Sequence, residues 1–159
     1  MIFVTVGSML PFDRFVAAMD DWAAANPAEA VFAQIGGGSY LPRHMDYARM
    51  LTPGGFAAKV EDATLIVAHA GMGSVIMAAE AGKPVVLFPR RHALGEHTTD
   101  HQLDTVGWLK DRPGIHLAME VEDLSARIAT ARERTDPGQT LSKTAPAAFV
   151  ARLREALAG

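Results

Sequence analysis

Four short runs of apolar, largely β-branched residues constrain the fold more than any other feature of this chain. They are Ile2-Phe3-Val4-Thr5-Val6, Val31-Phe32-Ala33-Gln34-Ile35, Thr64-Leu65-Ile66-Val67-Ala68 and Val85-Val86-Leu87-Phe88. Nearly continuous apolar runs suit strands that are covered on both faces. The first three end at Gly7-Ser8, Gly36-Gly37-Gly38 and His69-Ala70-Gly71, and Pro89 follows the fourth. Between and beyond them, residues 11–26, 54–62, 74–81, 100–110 and 121–132 read as helices, with a further short strand over 115–117. Asp13 favours the dipole of the first helix, Gly82 suits a helix C-cap, and Pro84 opens the next strand. Residues 40–51 fit neither period and are left open. The alternation predicts an α/β domain of Rossmann-like type, a mostly parallel sheet with helices on both faces.

That domain is expected to occupy residues 1–133. Residues 134–159 then supply a polar connection, within the stretch RERTDPGQTLSKT, and a last helix over about 146–157. Phe149, Val150, Leu153 and Leu157 share one face of that helix, which either docks a partner or packs on its own sheet.

Composition excludes several classes. The 159 residues are enough for one domain with a proper core, and 49% of them are apolar. A net charge of −3 argues against a broad nucleic-acid surface. Without cysteine there is no disulfide framework, thiolate zinc site or thiol nucleophile. Met1 to Val6 lacks the basic flank and length of a signal peptide, and no apolar run approaches the roughly 18 residues of a membrane span. The expectation is a soluble, cytoplasmic chain.

The stretch HAGMGSVIMAAEAGKP, residues 69–84, carries the chemistry. In open parallel sheets, ligands sit beyond the C-terminal strand ends, where loops meet helix N-termini. Gly71 and Gly73 let backbone N–H groups approach an anion, and Ser74 either donates its hydroxyl or merely caps the helix. Such a terminus contributes about 0.3–1 kcal/mol to a bound charge, whereas micromolar affinity needs about 8 kcal/mol. Neighbouring loops must therefore complete the site. Gly82-Lys83 is followed by Pro84 and lacks the upstream glycine of a P-loop, and Val6-Gly7-Ser8 is no G-x-G-x-x-G. A sugar nucleotide remains.

IFVTVGS, HAGMGS and PRRHALGEHTTDHQ, in this order, resemble glycosyltransferase family 28. The resemblance covers residues up to about 133 and is to the C-terminal, UDP-sugar-binding half of a GT-B enzyme carried as a free-standing chain. The extended GEH and DHQ segment is most similar to the small subunit of bacterial two-chain exopolysaccharide glycosyltransferases, glucuronosyltransferases among them. The resemblance implies that Gly71, Gly73 and Ser74 hold the donor diphosphate and stabilise the leaving UDP. It implies that Gly7 and Ser8 border the sugar or phosphates, and that Asp100, His101 and Gln102 reach donor hydroxyls. The ribose-binding glutamate of the family falls on Met77 here. Glu80, one turn later, either reaches the ribose by a longer path or is a solvent-facing acid.

Other positions keep two readings. His69 is a donor or a satisfied core histidine, and His97 and His101 are donors or surface residues. Arg90 and Arg91 can bind a glucuronate carboxylate as a bidentate fork or simply flank a loop. The series His92, His97 and His101 also invites a metal-hydrolase reading, but no metal signature surrounds it. No metal and no cofactor are expected; the donor is UDP-glucuronate or UDP-N-acetylglucosamine. What the resemblance implies as a whole is the donor-binding subunit of an inverting glycosyltransferase. A membrane-associated, acceptor-binding subunit would recruit it to the inner membrane face and supply the base and a lipid-linked sugar acceptor. Exopolysaccharide or glycolipid assembly is the implied setting, with no nucleic-acid partner. The rival reading is a non-catalytic UDP-sugar-binding regulatory module.

Overall fold

The computed structural model describes residues 1–7, 10–97, 99–109, 112 and 114–133. Ser8 and the expected connection and last helix beyond residue 133 lie outside them. Among the described residues, six strands form a single sheet: β1 (Ile2–Thr5), β2 (Val31–Gln34), β3 (Asp46–Ala48), β4 (Leu65–His69), β5 (Val85–Phe88) and β6 (Ile115–Leu117). Five α-helices among the same residues accompany them: α1 (Asp13–Ala25), α2 (Pro53–Asp62), α3 (Met72–Ala81), α4 (His101–Leu109) and α5 (Leu124–Glu133). The strand order is β3-β2-β1-β4-β5-β6 and every neighbouring pair is parallel. In register, Ile2 lies between Val31 and Leu65, and Thr5 between Gln34 and Ala68.

The period of two within each strand divides the core. Ile2, Val4, Val67, Val86 and Phe88 face α1 and α5, where Phe15, Met19, Trp22 and Ile128 meet them. Phe3, Ile66, Val85 and Leu87 face the opposite way, onto Val60, Val75, Ile76, Val106 and Leu109 of α2, α3 and α4. β1 and β5 are wholly buried, as their unbroken apolar runs require. Phe15 stacks on Phe88 at a centroid distance of 5.4 Å, joining α1 to β5.

Local chemistry sets the element ends. The Thr52 hydroxyl caps α2 by accepting from Gly55 N–H at 3.0 Å, with Pro53 in the first turn. Gly82, at φ 66°, ends α3 in the left-handed region, as its position predicts. Lys83 donates to the carbonyls of Glu61 and Ala63, closing the C-terminal end of α2. The stretch over 40–51 contains the edge strand β3, three residues long and largely exposed, which is too short for a period to register. Tertiary bonds hold it. Buried Asp20 accepts from the Tyr40 hydroxyl at 2.7 Å and from the N–H groups of Arg43 and His44. The Arg49 guanidinium donates to the carbonyls of Gly36 and Gly38.

Candidate functional site

The strand order turns back between β1 and β4, which run side by side while their connections leave in opposite directions. A cleft belongs at such a switch point, beyond the carboxyl ends of those strands. One of about 720 Å³ lies there, and it gathers Gly7, His69, Gly71, Gly73, Ser74, Arg90, His97 and Gln102. Asp100, His101 and Glu80 do not line it. The Asp100 carboxylate instead accepts from His92 N–H at 3.0 Å, and His101 is exposed at the start of α4. Glu80 lines a neighbouring groove between α2 and α3, whereas Met77 faces both spaces.

The α3 terminus differs from the sequence expectation in one respect. The helix starts at Met72 rather than Ser74, with Gly71 as its N-cap and no side chain capping it. Ser74 therefore sits in the first turn, 8% exposed, and its hydroxyl takes no hydrogen bond among the described residues. A Cβ added at Gly73 would meet nothing within 4 Å, so the space above it is open. Gly71 and Gly7 answer to a different need. The His69 ring lies against both α-carbons: a Cβ on Gly7 would come within 2.5 Å of Nε2, and one on Gly71 would run into the same ring. Gly7 also has φ 79°, where side chains other than glycine are strained.

His69 is part-buried at the end of β4, and its Nδ1 lies 3.0 Å from the Gln102 amide nitrogen. Burial first, then the charges of Arg90 and His97, lower its pKa to about 4, so the ring is neutral at neutral pH. Gln102, 6% exposed, also accepts from Arg90 N–H at 2.9 Å.

Arg90 is 2% exposed and hydrogen-bonds to no carboxylate among the described residues. Its guanidinium donates to the carbonyls of Val6 and Pro11 at 2.6 Å and of Leu10 at 2.7 Å, with a longer bond to that of Glu96, and it lies over the Phe12 ring. Burial lowers its pKa to about 10 against the pull of Glu96, which leaves it charged at neutral pH. Arg90 thus clamps the β1–α1 loop and sets a positive charge at the cleft, but offers no free fork to a ligand. Arg91 turns to the Met119 carbonyl and Glu120. Glu96 is held by Arg14 through two bonds of 2.8 Å.

Two parts of the cleft escape a motif-based reading. Its floor carries Thr5 and Gln34: the Thr5 hydroxyl donates to the Gln34 amide oxygen at 2.7 Å and accepts from Gly7 N–H. The only sequence signal for them is a polar residue closing an otherwise apolar strand. One wall is apolar, formed by Met50, Leu51, Phe56, Met72 and Met77. Met50 and Leu51 follow β3, in the stretch that fits neither period, whereas Phe56 belongs to α2 and Met72 and Met77 to α3. The lining contains no Asp or Glu among the described residues, and no cluster of three or more His, Cys, Asp or Glu among them is arranged to hold a metal. No helix among them is long and apolar enough to cross a membrane.

Comparison with known proteins bears on this geometry. The family model of the glycosyltransferase family 28 C-terminal domain matches residues 1–134. No curated protein sequence matches. Among solved structures, a glycotransferase of kitacinnamycin is similar at 21% identity with a TM-score of 0.61, over 97% of this chain and 38% of that one. MurG of Acinetobacter baumannii is 19% identical with a TM-score of 0.52, over 96% of this chain and 49% of that one. The solution structure of ALG13 is 14% identical with a TM-score of 0.58, over 84% of this chain and 85% of that one. At these identities the likeness is one of fold, that of the C-terminal domain of GT-B glycosyltransferases. The chain spans well under half the length of the kitacinnamycin protein.

Proposed function

Because the chain belongs to the glycosyltransferase family 28 C-terminal domain family, we propose that its cleft binds the UDP-sugar donor of an inverting glycosyltransferase. The observation that carries this reading is the polar α3 terminus that lines the cleft. Open space lies above Gly73, and the Ser74 hydroxyl beside it has no protein partner among the described residues. The positive end of the helix dipole points there, and the Arg90 charge, hydrogen-bonded to carbonyls, stands nearby. A diphosphate answers both. The apolar wall of Met50, Leu51, Phe56 and Met77 offers a flat base a surface on which to stack.

These groups orient the donor and stabilise the charge that grows on UDP as the sugar–phosphate bond breaks. They provide no base. The lining holds no carboxylate among the described residues. The acceptor hydroxyl is deprotonated from outside this chain. We assign that task to a membrane-associated, acceptor-binding subunit presenting a lipid-linked sugar at the cytoplasmic membrane face, in exopolysaccharide or glycolipid assembly. Since neither Arg90 nor Arg91 presents a free fork, UDP-glucuronate gains no preference over UDP-N-acetylglucosamine from them.

Calorimetric titration with UDP and both UDP-sugars, with GDP as control and a chelator present, tests the reading. We expect uridine ligands to bind, and Ser74→Ala to weaken them about fivefold to tenfold, the worth of a hydrogen bond to a charged oxygen. Equal binding of GDP, or no effect of Ser74→Ala, would overturn it.

A further inference from the structure

Gln102 is locked from both ends, and the direction of that lock has a chemical consequence. The Arg90 backbone N–H is only a donor, so the group it meets at 2.9 Å must be the Gln102 amide oxygen. The amide NH2 then faces His69 Nδ1, 3.0 Å away. An NH2 group donates, so Nδ1 must accept, and a neutral imidazole that accepts at Nδ1 carries its proton on Nε2. Nε2 has no hydrogen-bond partner among the described residues and lies at the bare α-carbons of Gly7 and Gly71, where the ring lines the cleft.

We propose that Gln102 is a positioning residue: it fixes the His69 proton on Nε2 and makes the imidazole a permanent, neutral hydrogen-bond donor to an anionic ligand oxygen in the cleft. The identity of that ligand rests on the donor-binding reading above; the proton's position does not. Burial, and after it the Arg90 charge, keep the ring from charging, so the donor does not switch with pH in the neutral range. Gln102 acts through His69, and the family motif that contains it here supports the ring from behind.

Long-range 1H–15N spectra of the imidazoles in the labelled chain test this without any ligand. His69 is assigned among the six histidines by its loss in His69→Gln. In the wild type at pH 7, Nε2 should be protonated and Nδ1 bare. Gln102→Glu replaces the amide donor by an acceptor, and Nδ1 should then be protonated. A wild-type proton on Nδ1, or an Nδ1 still bare in Gln102→Glu, would overturn the proposal. If the buried carboxylate unfolds the chain, Gln102→Met serves instead. It removes the donor and should give a tautomer mixture, and an undiminished Nε2–H population would again overturn it. Titration of the wild type with UDP separates the two readings. The expected spectra without UDP binding would sink the donor site and leave the role of Gln102 standing.

Discussion

Arg90 shows how one side chain shapes a site without touching a ligand. Three close bonds to the carbonyls of Val6, Leu10 and Pro11 hold the loop that faces α3. Arg90→Met keeps most of the apolar stem but strands those carbonyls, each costing about 1–3 kcal/mol if left without a partner. We expect at least about 3 kcal/mol of lost stability in urea unfolding, and a loss below about 1 kcal/mol would show that water replaces the guanidinium. His69 carries a pH dependence. In the unfolded chain it takes a proton near its ordinary value of 6.5, in the folded chain only at about 4. Its contribution is thus complete above pH 6.5 and falls as the pH drops toward 4, by on the order of 3 kcal/mol. Urea midpoints at pH 7 and 4.5 should show this fall, and His69→Gln should flatten it. Buried Asp20 adds to the loss further down. Its burial alone would raise the pKa, but the bonds from Tyr40, His44 and Arg43 outweigh that and hold it below the usual 3.8. The same bond pushes the Tyr40 hydroxyl up to about 12.

At the scale of elements, α3 sets helix stability against binding. Gly73 lies in its first turn with open space where a Cβ would go. Gly73→Ala should stabilise the free protein by up to about 1 kcal/mol, because alanine loses less backbone entropy in a helix. The methyl group fills the space assigned to the diphosphate, so UDP should bind at least tenfold more weakly. Thermal melts and calorimetry on the same variant read the two effects, and unchanged UDP affinity would place the diphosphate elsewhere. Gly71 behaves differently: any side chain there meets the His69 ring that Gln102 holds. Two glycines in one short motif thus serve different ends, one clearing a ligand and the other a histidine.

The whole molecule joins these parts at one switch point. Six parallel strands bring the loops after β1, β4 and β5 to the same sheet edge, and Arg90 and the Arg14–Glu96 pair tie the first loop to the last. The donor-binding proposal makes this domain one wall of a two-sided reaction. On the reading above, it should bind UDP alone yet transfer no sugar to a lipid-linked acceptor until its partner is added. Radiolabelled transfer assays with and without the partner check this, and transfer by the chain alone would place the base within it.

Much of the fold was legible because its signals are local. β1 and β5 fall where their apolar runs stand, and Gly82 ends α3 as its backbone freedom predicts. Side-chain burial and backbone propensity act within a few residues, so strand succession and the sheet's parallel character follow from the sequence by itself. Only tertiary structure decided the rest. The segment around β3 is held by bonds donated to Asp20 and by the Arg49 guanidinium rather than by its own pattern. Arg90 and Gln102, which motif reasoning sends to the ligand, spend their donors and acceptors on carbonyls, an N–H and a histidine distant in sequence. A side chain's hydrogen bonds go to whatever polar groups burial brings beside it, and that neighbourhood exists only once the chain has folded.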